Sequence, residues 1–133
     1  MTTSTNLYPR VLVVDDNASI RLVMQHALRR QFDVITVGDV EAAVEAAQRI
    51  DFDAFVLDVN LGGTVNGIEL CSMLRDLPGH EATPAIACTA YVAPDQRRIL
   101  HEEGFDGYLP KPFTPTELRE AVSSAIGFEV GGG

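Results

Sequence analysis

Five short apolar runs alternate with five amphipathic segments along the chain. Runs of strand length and composition occupy 10–14, 31–37, 54–57, 84–88 and 106–109. Segments with apolar residues at helical spacing begin near Asn17, Asp39, Gly67, Pro94 and Thr114. Strands that alternate with helices are typical of a parallel sheet covered on both faces. The sequence therefore predicts an α/β fold, a doubly wound five-stranded parallel sheet in the flavodoxin-like order 2-1-3-4-5.

The length of 133 residues suits one ordinary domain, which we expect to span 1–128. Residues 129–133 are predicted to be a flexible, glycine-rich tail, and 1–9 a polar, frayed lead-in. A glycine tail is also compatible with a domain cut from a longer protein.

The net charge of −9 argues against contact with nucleic acid or an anionic membrane, because both require basic patches. The start of the chain lacks the basic and apolar regions of a signal peptide, and no apolar run reaches membrane-spanning length. Cys71 and Cys88 do not form a CxxC pair, so we interpret both as buried apolar residues in a reducing compartment. Together these features predict a soluble cytoplasmic protein.

Two helices differ in how well their apolar residues anchor them. The first is predicted to face inward through Ile20, Val23, Met24, Ala27 and Leu28. The fourth, from Pro94 to about Glu103, has the weakest stripe, with only Ile99 and Leu100 against a solvated Arg97–Arg98 pair.

Acidic residues follow two of the predicted strands. Asp58 ends the central run 54–57, and Asp15 and Asp16 end the first strand. Each acid alone is explained by strand termination or helix capping. In the order 2-1-3-4-5, however, strands 1 and 3 are neighbours, so the three carboxylates are expected to meet at one edge. Thr89 and Lys111, at the ends of strands 4 and 5, are expected to line that edge too.

This set of side chains suits phosphoryl transfer with a metal ion. Crowded carboxylates repel each other unless a hard cation lies among them, and Mg²⁺ prefers carboxylate and phosphate oxygens. A lysine supplies positive charge for a phosphoryl group, and a threonine hydroxyl adds a hydrogen bond. A carboxylate can itself act as the nucleophile and carry an aspartyl phosphate.

Four segments resemble the receiver domain of two-component response regulators: VVDDN at 13–17, LDVNL at 57–61, TA at 89–90 and YLPKPF at 108–113. The resemblance covers nearly the whole chain, roughly 8–128. It implies that Asp58 accepts phosphate from a phosphohistidine on a histidine kinase or phosphotransfer protein.

The resemblance also implies the roles of the surrounding residues. Asp16 and Asp58 would contact Mg²⁺ directly, Asp15 through water, and Asn60 through its backbone carbonyl. Lys111 would pair with the phosphoryl oxygens and Thr89 would donate a hydrogen bond to them. Tyr108 would be the aromatic residue whose inward or outward position reports activation, and the Lys111–Pro112 bond would be cis.

The chain departs from the family pattern near the metal site. Leu61-Gly62 stands where the family usually has Met-Pro, and the loop from Asp58 to Gly67 looks one residue longer than usual. Tyr91, two residues after Thr89, is either a partial lid over the site or a surface aromatic. His26, His80 and His101 show no metal-ligand spacing and are predicted to be surface or helix-packing residues.

Two other functions compete with the signalling receiver, whose output would be partner binding or onward relay of phosphate. One is an Mg²⁺-dependent phosphatase with an aspartyl nucleophile, but Asn60 stands where such enzymes place a second acid. The other is an interaction module that works without phosphate, against which the intact set of acids, threonine and lysine argues.

Overall fold

A computed structural model describes residues 8–61, 65–90 and 94–127. Three sequence predictions lie outside the described residues: the tight turn that Gly62 and Gly63 favour, the lid or surface position of Tyr91, and the flexibility of the tail 129–133. In chain order the elements are β1 (Arg10–Val14), α1 (Ala18–Leu28), β2 (Asp33–Val37), α2 (Val40–Arg49), β3 (Ala54–Asp58), α3 (Gly67–Arg75), β4 (Ala85–Thr89), α4 (Pro94–Glu102), β5 (Gly107–Pro110) and α5 (Pro115–Ile126).

The five strands form one parallel sheet in the order β2-β1-β3-β4-β5. The predicted fold class and strand order are therefore confirmed. The register pairs Val14 with Leu57 and Asp58 with Cys88, so β1, β3 and β4 end close to one level. Every loop that leaves a strand here begins at the same edge of the sheet, which is where α/β proteins bind ligands.

Two apolar layers enclose the sheet because successive strand side chains point to opposite faces. One layer joins α1 and α5 to the sheet through Met24, Leu28, Leu118 and Val122. The other layer covers the opposite face and includes these buried side chains of α2, α3 and α4: Ala43, Ala47, Leu70, Cys71, Leu74 and Leu100. Both cysteines are buried free thiols, as expected.

Local sequence signals also set the helix starts. Asn17, Asp39, Asn66 and Thr114 are N-caps whose side chains accept backbone N–H bonds, and the caps of α3 and α5 are capping boxes. No helix among 8–61, 65–90 and 94–127 is long and apolar enough to cross a membrane.

Several predicted limits shift by one or two residues. β2 begins at Asp33 rather than Gln31, β4 runs 85–89 rather than 84–88, and β5 runs 107–110 rather than 106–109. The third helix, which the apolar spacing predicts over 67–77, ends at Arg75. The guanidinium of Arg75, the last residue of α3, donates to the carbonyl oxygens of Thr83 and Gly104 and to the Asp106 carboxylate.

Two residues predicted to face inward are exposed. Val23 of α1 is 54% exposed and lies on the groove between α1 and α5, because Met24 and Leu28 take the side that faces the sheet. Ile99 of α4 is 46% exposed, which leaves Leu100 as the one buried residue of that helix. The expected weak anchoring of α4 is thus more pronounced than its sequence indicates.

His80 is a core residue, which corrects the expectation of a surface or helix-packing position. Its ring lies 5.3 Å from that of Phe55, and its Nε2 accepts the Phe52 N–H at 3.1 Å. The imidazole therefore fills an aromatic cluster and also satisfies a buried backbone donor. His26 and His101 are exposed, as expected.

Replacing His80 with leucine is expected to lower the free energy of unfolding by about 1–3 kcal/mol, since it leaves the buried Phe52 N–H without its acceptor. Urea unfolding followed by circular dichroism measures the change. The exposed His26→Leu is the matched control and should unfold close to the parent midpoint. An unchanged midpoint for His80→Leu would contradict the role given to the Phe52–His80 bond.

Candidate functional site

Three acids lie together at the carboxyl edge of the sheet: two follow β1, and the third is the last residue of β3. One carboxylate oxygen from each of Asp15, Asp16 and Asp58 lies within 4.8 Å of the others. Asp15 and Asp58 are buried, whereas Asp16 is exposed. The strand order explains this cluster, because β1 and β3 are hydrogen-bonded neighbours at the point where the chain reverses its direction across the sheet.

Lys111 reaches this cluster from the loop after β5. Its Nζ lies 2.9 Å from Oδ2 of Asp15 and 3.4 Å from Oδ2 of Asp58. Its backbone N–H donates to the Thr89 carbonyl at 2.8 Å, and the following bond to Pro112 is cis. The ends of β4 and β5 therefore aim the lysine at the acids, as the sequence predicts.

Backbone donors hold two of the carboxylates. Asp15 Oδ1 accepts the Asn17 N–H at 2.9 Å, and Asp58 Oδ1 accepts the Asn60 N–H at 3.0 Å. With Lys111 on Oδ2, both oxygens of Asp15 are hydrogen-bonded. Hydrogen bonds within the protein thus hold the Asp15 carboxylate in place, whereas Asp16 is exposed to solvent.

Burial and charge act against each other in this site. Burial raises the pKa of Asp58, although the Asn60 N–H and Lys111 oppose the rise. Burial alone would lower the pKa of Lys111, but its hydrogen bond with Asp15 and the charges of Asp58 and Asp15 raise that pKa overall. Desolvation raises the pKa of Cys88 to about 12, so this neighbouring thiol is protonated at neutral pH.

The charges in the cluster favour a divalent cation. The cluster contains three carboxylates and one ammonium group, so its negative charge is in excess. One oxygen of each carboxylate lies close enough to the others for all three to bind one ion. An all-oxygen donor set, with one acid open to solvent, suits Mg²⁺, which keeps part of its water shell. The residues present therefore fit a magnesium ion.

Gly67, at the start of α3, shapes the site in a way that the sequence did not indicate. A Cβ atom at Gly67 would lie 2.2 Å from the Asp58 carbonyl oxygen and 2.8 Å from Val59 Cα. Its N–H also donates to the Val59 carbonyl at 3.0 Å. A glycine at the start of a helix gives no sequence signal of this contact, which arises only when α3 packs against the end of β3.

Thr89 and Asn60 line one cleft of about 280 Å³ between the ends of β3 and β4 and the face of α4. Thr89 is buried at the end of β4, and Asn60 is exposed. The structure therefore brings these two predicted residues to the same edge as the acids.

Tyr108, on β5, is half-buried and contacts a side chain of α4. The guanidinium of Arg97, predicted to be solvated, lies 4.3 Å from the centroid of the Tyr108 ring. Arg97 is itself exposed, as expected, and its contact with the ring joins the polar side of α4 to β5.

Comparison with known proteins places this arrangement in a family. Residues 11–123 match the model of the response regulator receiver domain. The alkaline phosphatase synthesis transcriptional regulatory protein PhoP of Bacillus subtilis is 36% identical over 118 residues, which are 88% of this chain and 48% of that protein. The DNA-binding response regulator MtrA of Mycobacterium tuberculosis is 37% identical over the same length. The chain spans about half the length of these curated relatives.

Solved structures of similar size resemble this chain as well. The chemotaxis protein CheY4 of Vibrio cholerae has a TM-score of 0.84 at 30% identity, over 89% of this chain and 98% of that one. The receiver domain of the sensor histidine kinase PA1611 from Pseudomonas aeruginosa, solved with magnesium in its active-site cleft, has a TM-score of 0.80 at 30% identity, over 90% of this chain and 98% of that one. With the family match over 11–123, these likenesses identify the chain as a member of the response regulator receiver domain family of two-component signalling.

Proposed function

We propose that Asp58 accepts a phosphoryl group from phosphohistidine, with Mg²⁺ bound beside it. The observation that carries this proposal is the position of Asp58: a buried carboxylate at the sheet edge, 3.4 Å from Lys111 and clustered with Asp15 and Asp16. Phosphoryl transfer needs an in-line nucleophile and neutralisation of charge on the equatorial oxygens. Asp58 supplies the first, and Lys111 with the metal supplies the second.

The other side chains hold the ion or the transferred group. Asp16 and Asp58 are proposed as direct metal ligands, Asp15 as a ligand through water, and Asn60 as a ligand through its carbonyl. The bound ion supplies positive charge to phosphoryl oxygens. Lys111 gives up its contact with Asp58 to pair with the phosphoryl group, and Thr89 hydrogen-bonds to it.

The phosphoryl donor is proposed to be a histidine kinase or histidine phosphotransfer protein, and the output a change in partner binding or onward relay of phosphate. We propose 1–128 as the domain that carries this function. The net charge of −9 disfavours direct nucleic-acid contact by this domain.

Incubation with acetyl phosphate and Mg²⁺ separates the candidate functions. A signalling receiver gains one persistent, hydroxylamine-sensitive acyl phosphate, detected by intact-protein mass. An aspartyl phosphatase instead turns over the donor continuously, and a phosphate-independent module does neither. Rapid turnover without accumulation, or no labelling at all, would overturn the proposal.

Replacing Asp16 with asparagine is expected to weaken Mg²⁺ binding by about tenfold or more and to slow phosphoryl uptake, since it removes a charged ligand. In metal-free buffer the variant should be at least as stable as the parent, because repulsion within the cluster falls. Calorimetric titration with Mg²⁺ measures the affinity, and the exposed Asp76→Asn is the control. Unchanged Mg²⁺ affinity in Asp16→Asn would place the metal elsewhere.

Replacing Thr89 with alanine is expected to uncouple phosphorylation from its output. Phosphate on Asp58 draws the Thr89 hydroxyl toward it, and the weakly anchored α4 shifts as Tyr108 and Arg97 rearrange. Amide exchange with and without beryllofluoride should change over 89–103 and around Tyr108 in the parent. The change should be blunted in Thr89→Ala, although Asp58 is still phosphorylated.

Thr36→Ala, on β2 at the far side of the sheet, is the control for the Thr89 variant and should respond as the parent does. Exchange changes confined to the loop 60–66 would contradict the route through α4. In that case the longer loop carries the signal.

A further inference from the structure

Arg21, on the second turn of α1, turns back toward the loop that carries the acids. Its Nη1 donates to the backbone carbonyl oxygen of Asp15 at 2.7 Å. The side chain of Asp15 is separately held by Asn17 and Lys111. Arg21 therefore fixes the main chain at the residue that joins β1 to Asp16, and it does so from a helix that is itself packed on the sheet.

Gly38, just after β2, leaves the space in which the guanidinium lies. A Cβ atom at Gly38 would stand 2.7 Å from Arg21 Nη1 and 3.2 Å from its Cζ. Gly38 is not among the described glycines with positive φ, so no left-handed turn requires a glycine there. Because Asp15 N–H donates to the Val37 carbonyl at 3.2 Å, Gly38 lies beside the Asp15 loop. The guanidinium of Arg21 occupies the space that a Cβ atom at Gly38 would need, which explains the glycine at this position.

We propose that Arg21 is a positioning residue for the magnesium site, and that the lack of a side chain at Gly38 leaves room for the Arg21 guanidinium. The inference rests on the metal site proposed above, and it assigns to this pair the pre-organisation of the Asp15–Asp16 main chain. Outer partners that orient metal ligands typically change metal affinity by about 10–100-fold when removed.

The direction of the change in Mg²⁺ affinity distinguishes a positioning role of Arg21 from a purely electrostatic one. A guanidinium near a metal site repels the cation, so loss of charge alone would tighten Mg²⁺ binding. Loss of positioning would weaken it. Gly38→Ala separates the two, since it retains the charge and displaces only the flexible end of the Arg21 side chain.

The test is calorimetric titration of Mg²⁺ into the parent chain, Arg21→Gln, Gly38→Ala and the double variant. Each single variant is expected to bind about tenfold more weakly. The double variant should bind no more weakly than either single one, because both changes break the same bond. Thermal unfolding in EDTA confirms that each protein is folded.

Two matched controls should keep the parent affinity. Arg49→Gln removes an arginine whose partner is Glu45 on the exposed side of α2. Gly107→Ala adds a Cβ atom whose closest neighbour, Ile86 Cγ1, is at an ordinary 3.8 Å.

A parent chain that takes up no Mg²⁺ overturns the metal site and this inference together. A parent chain that binds Mg²⁺ while Arg21→Gln binds equally or more tightly overturns only the role of Arg21. An unchanged affinity in Gly38→Ala, or additive effects of the two changes in the double variant, would likewise overturn the role of Arg21 and leave the metal site standing.

Discussion

Replacing Asp58 with asparagine is expected to abolish phosphoryl uptake from acetyl phosphate, with no acyl phosphate detected by intact-protein mass. The amide oxygen has the shape of the carboxylate oxygen but not its charge or nucleophilicity. Lys111 and Asp15 remain in place, so the loss reports the acceptor itself and not collapse of the site.

The same substitution is expected to stabilise the metal-free fold at neutral pH. Burial raises the pKa of Asp58, so the folded protein opposes its ionisation more than the unfolded chain does. The resulting penalty is absent at low pH and develops as pH rises from the unfolded value through the raised folded pKa. The stability advantage of Asp58→Asn should therefore be largest at neutral pH and shrink as the parent carboxyl becomes protonated, as urea unfolding at several pH values will show.

Asp53→Asn is a suitable control for Asp58→Asn, because Asp53 precedes the same strand at its opposite end and accepts only the Arg10 N–H among the bonds described for its side chain. It should be phosphorylated like the parent. Undiminished labelling of Asp58→Asn at another residue would contradict the assignment of the acceptor.

Replacing Lys111 with glutamine is expected to have opposite effects on metal and phosphate. Lys111 is held by the same carboxylates that are proposed to hold Mg²⁺, so its removal should tighten Mg²⁺ binding by roughly tenfold. Phosphoryl uptake should nevertheless be nearly lost, since no cation replaces Lys111 at the phosphoryl oxygens. Tighter Mg²⁺ binding would distinguish the loss of this lysine from the loss of Asp16, which is expected to weaken Mg²⁺ binding.

The glutamine variant should also be less stable without metal, by about 3 kcal/mol, because it leaves the buried Asp15 carboxylate without its cation. The Asp15 and Asp58 contacts raise the pKa of Lys111 overall, so the charged lysine stabilises the fold until pH rises through that raised value. Added Mg²⁺ should restore much of the loss by binding the folded state.

Thermal unfolding in EDTA and in Mg²⁺ measures both stability effects of Lys111→Gln. Lys111 is the only lysine in the sequence, so Arg49→Gln serves as the control for loss of a cation. Weaker Mg²⁺ binding in Lys111→Gln would show that the lysine supports the metal site and does not compete with it.

Much of the site follows from local sequence because the fold makes strand ends converge. A short apolar run defines each buried strand, and right-handed crossovers bring every carboxyl end to one edge. Asp15, Asp58, Thr89 and Lys111 are therefore placed near one another as soon as the strands are recognised. The N-caps of the helices follow in the same way, since a capping residue and its acceptor pattern lie within one turn.

Other features depend on contacts between distant segments. Lys111 and Asp15 are 96 residues apart, and only the packed sheet decides that the lysine reaches Oδ2 of Asp15 more closely than Asp58. The stacking of Arg97 on Tyr108 and the exposure of Val23 likewise depend on how α4 and α1 are rotated on the sheet. The burial of His80 depends on how the loop between α3 and β4 packs against Phe52 and Phe55.

The sequence by itself determined the fold class, the strand order and the set of residues at the reactive edge, because periodicity and strand-end chemistry are local. The tertiary structure alone decided which atoms touch there. Gly67 against the Asp58 backbone and Gly38 beneath Arg21 are the clearest examples. A glycine whose role is to leave room carries no chemistry of its own, so its function is defined only by the atom that a side chain would displace.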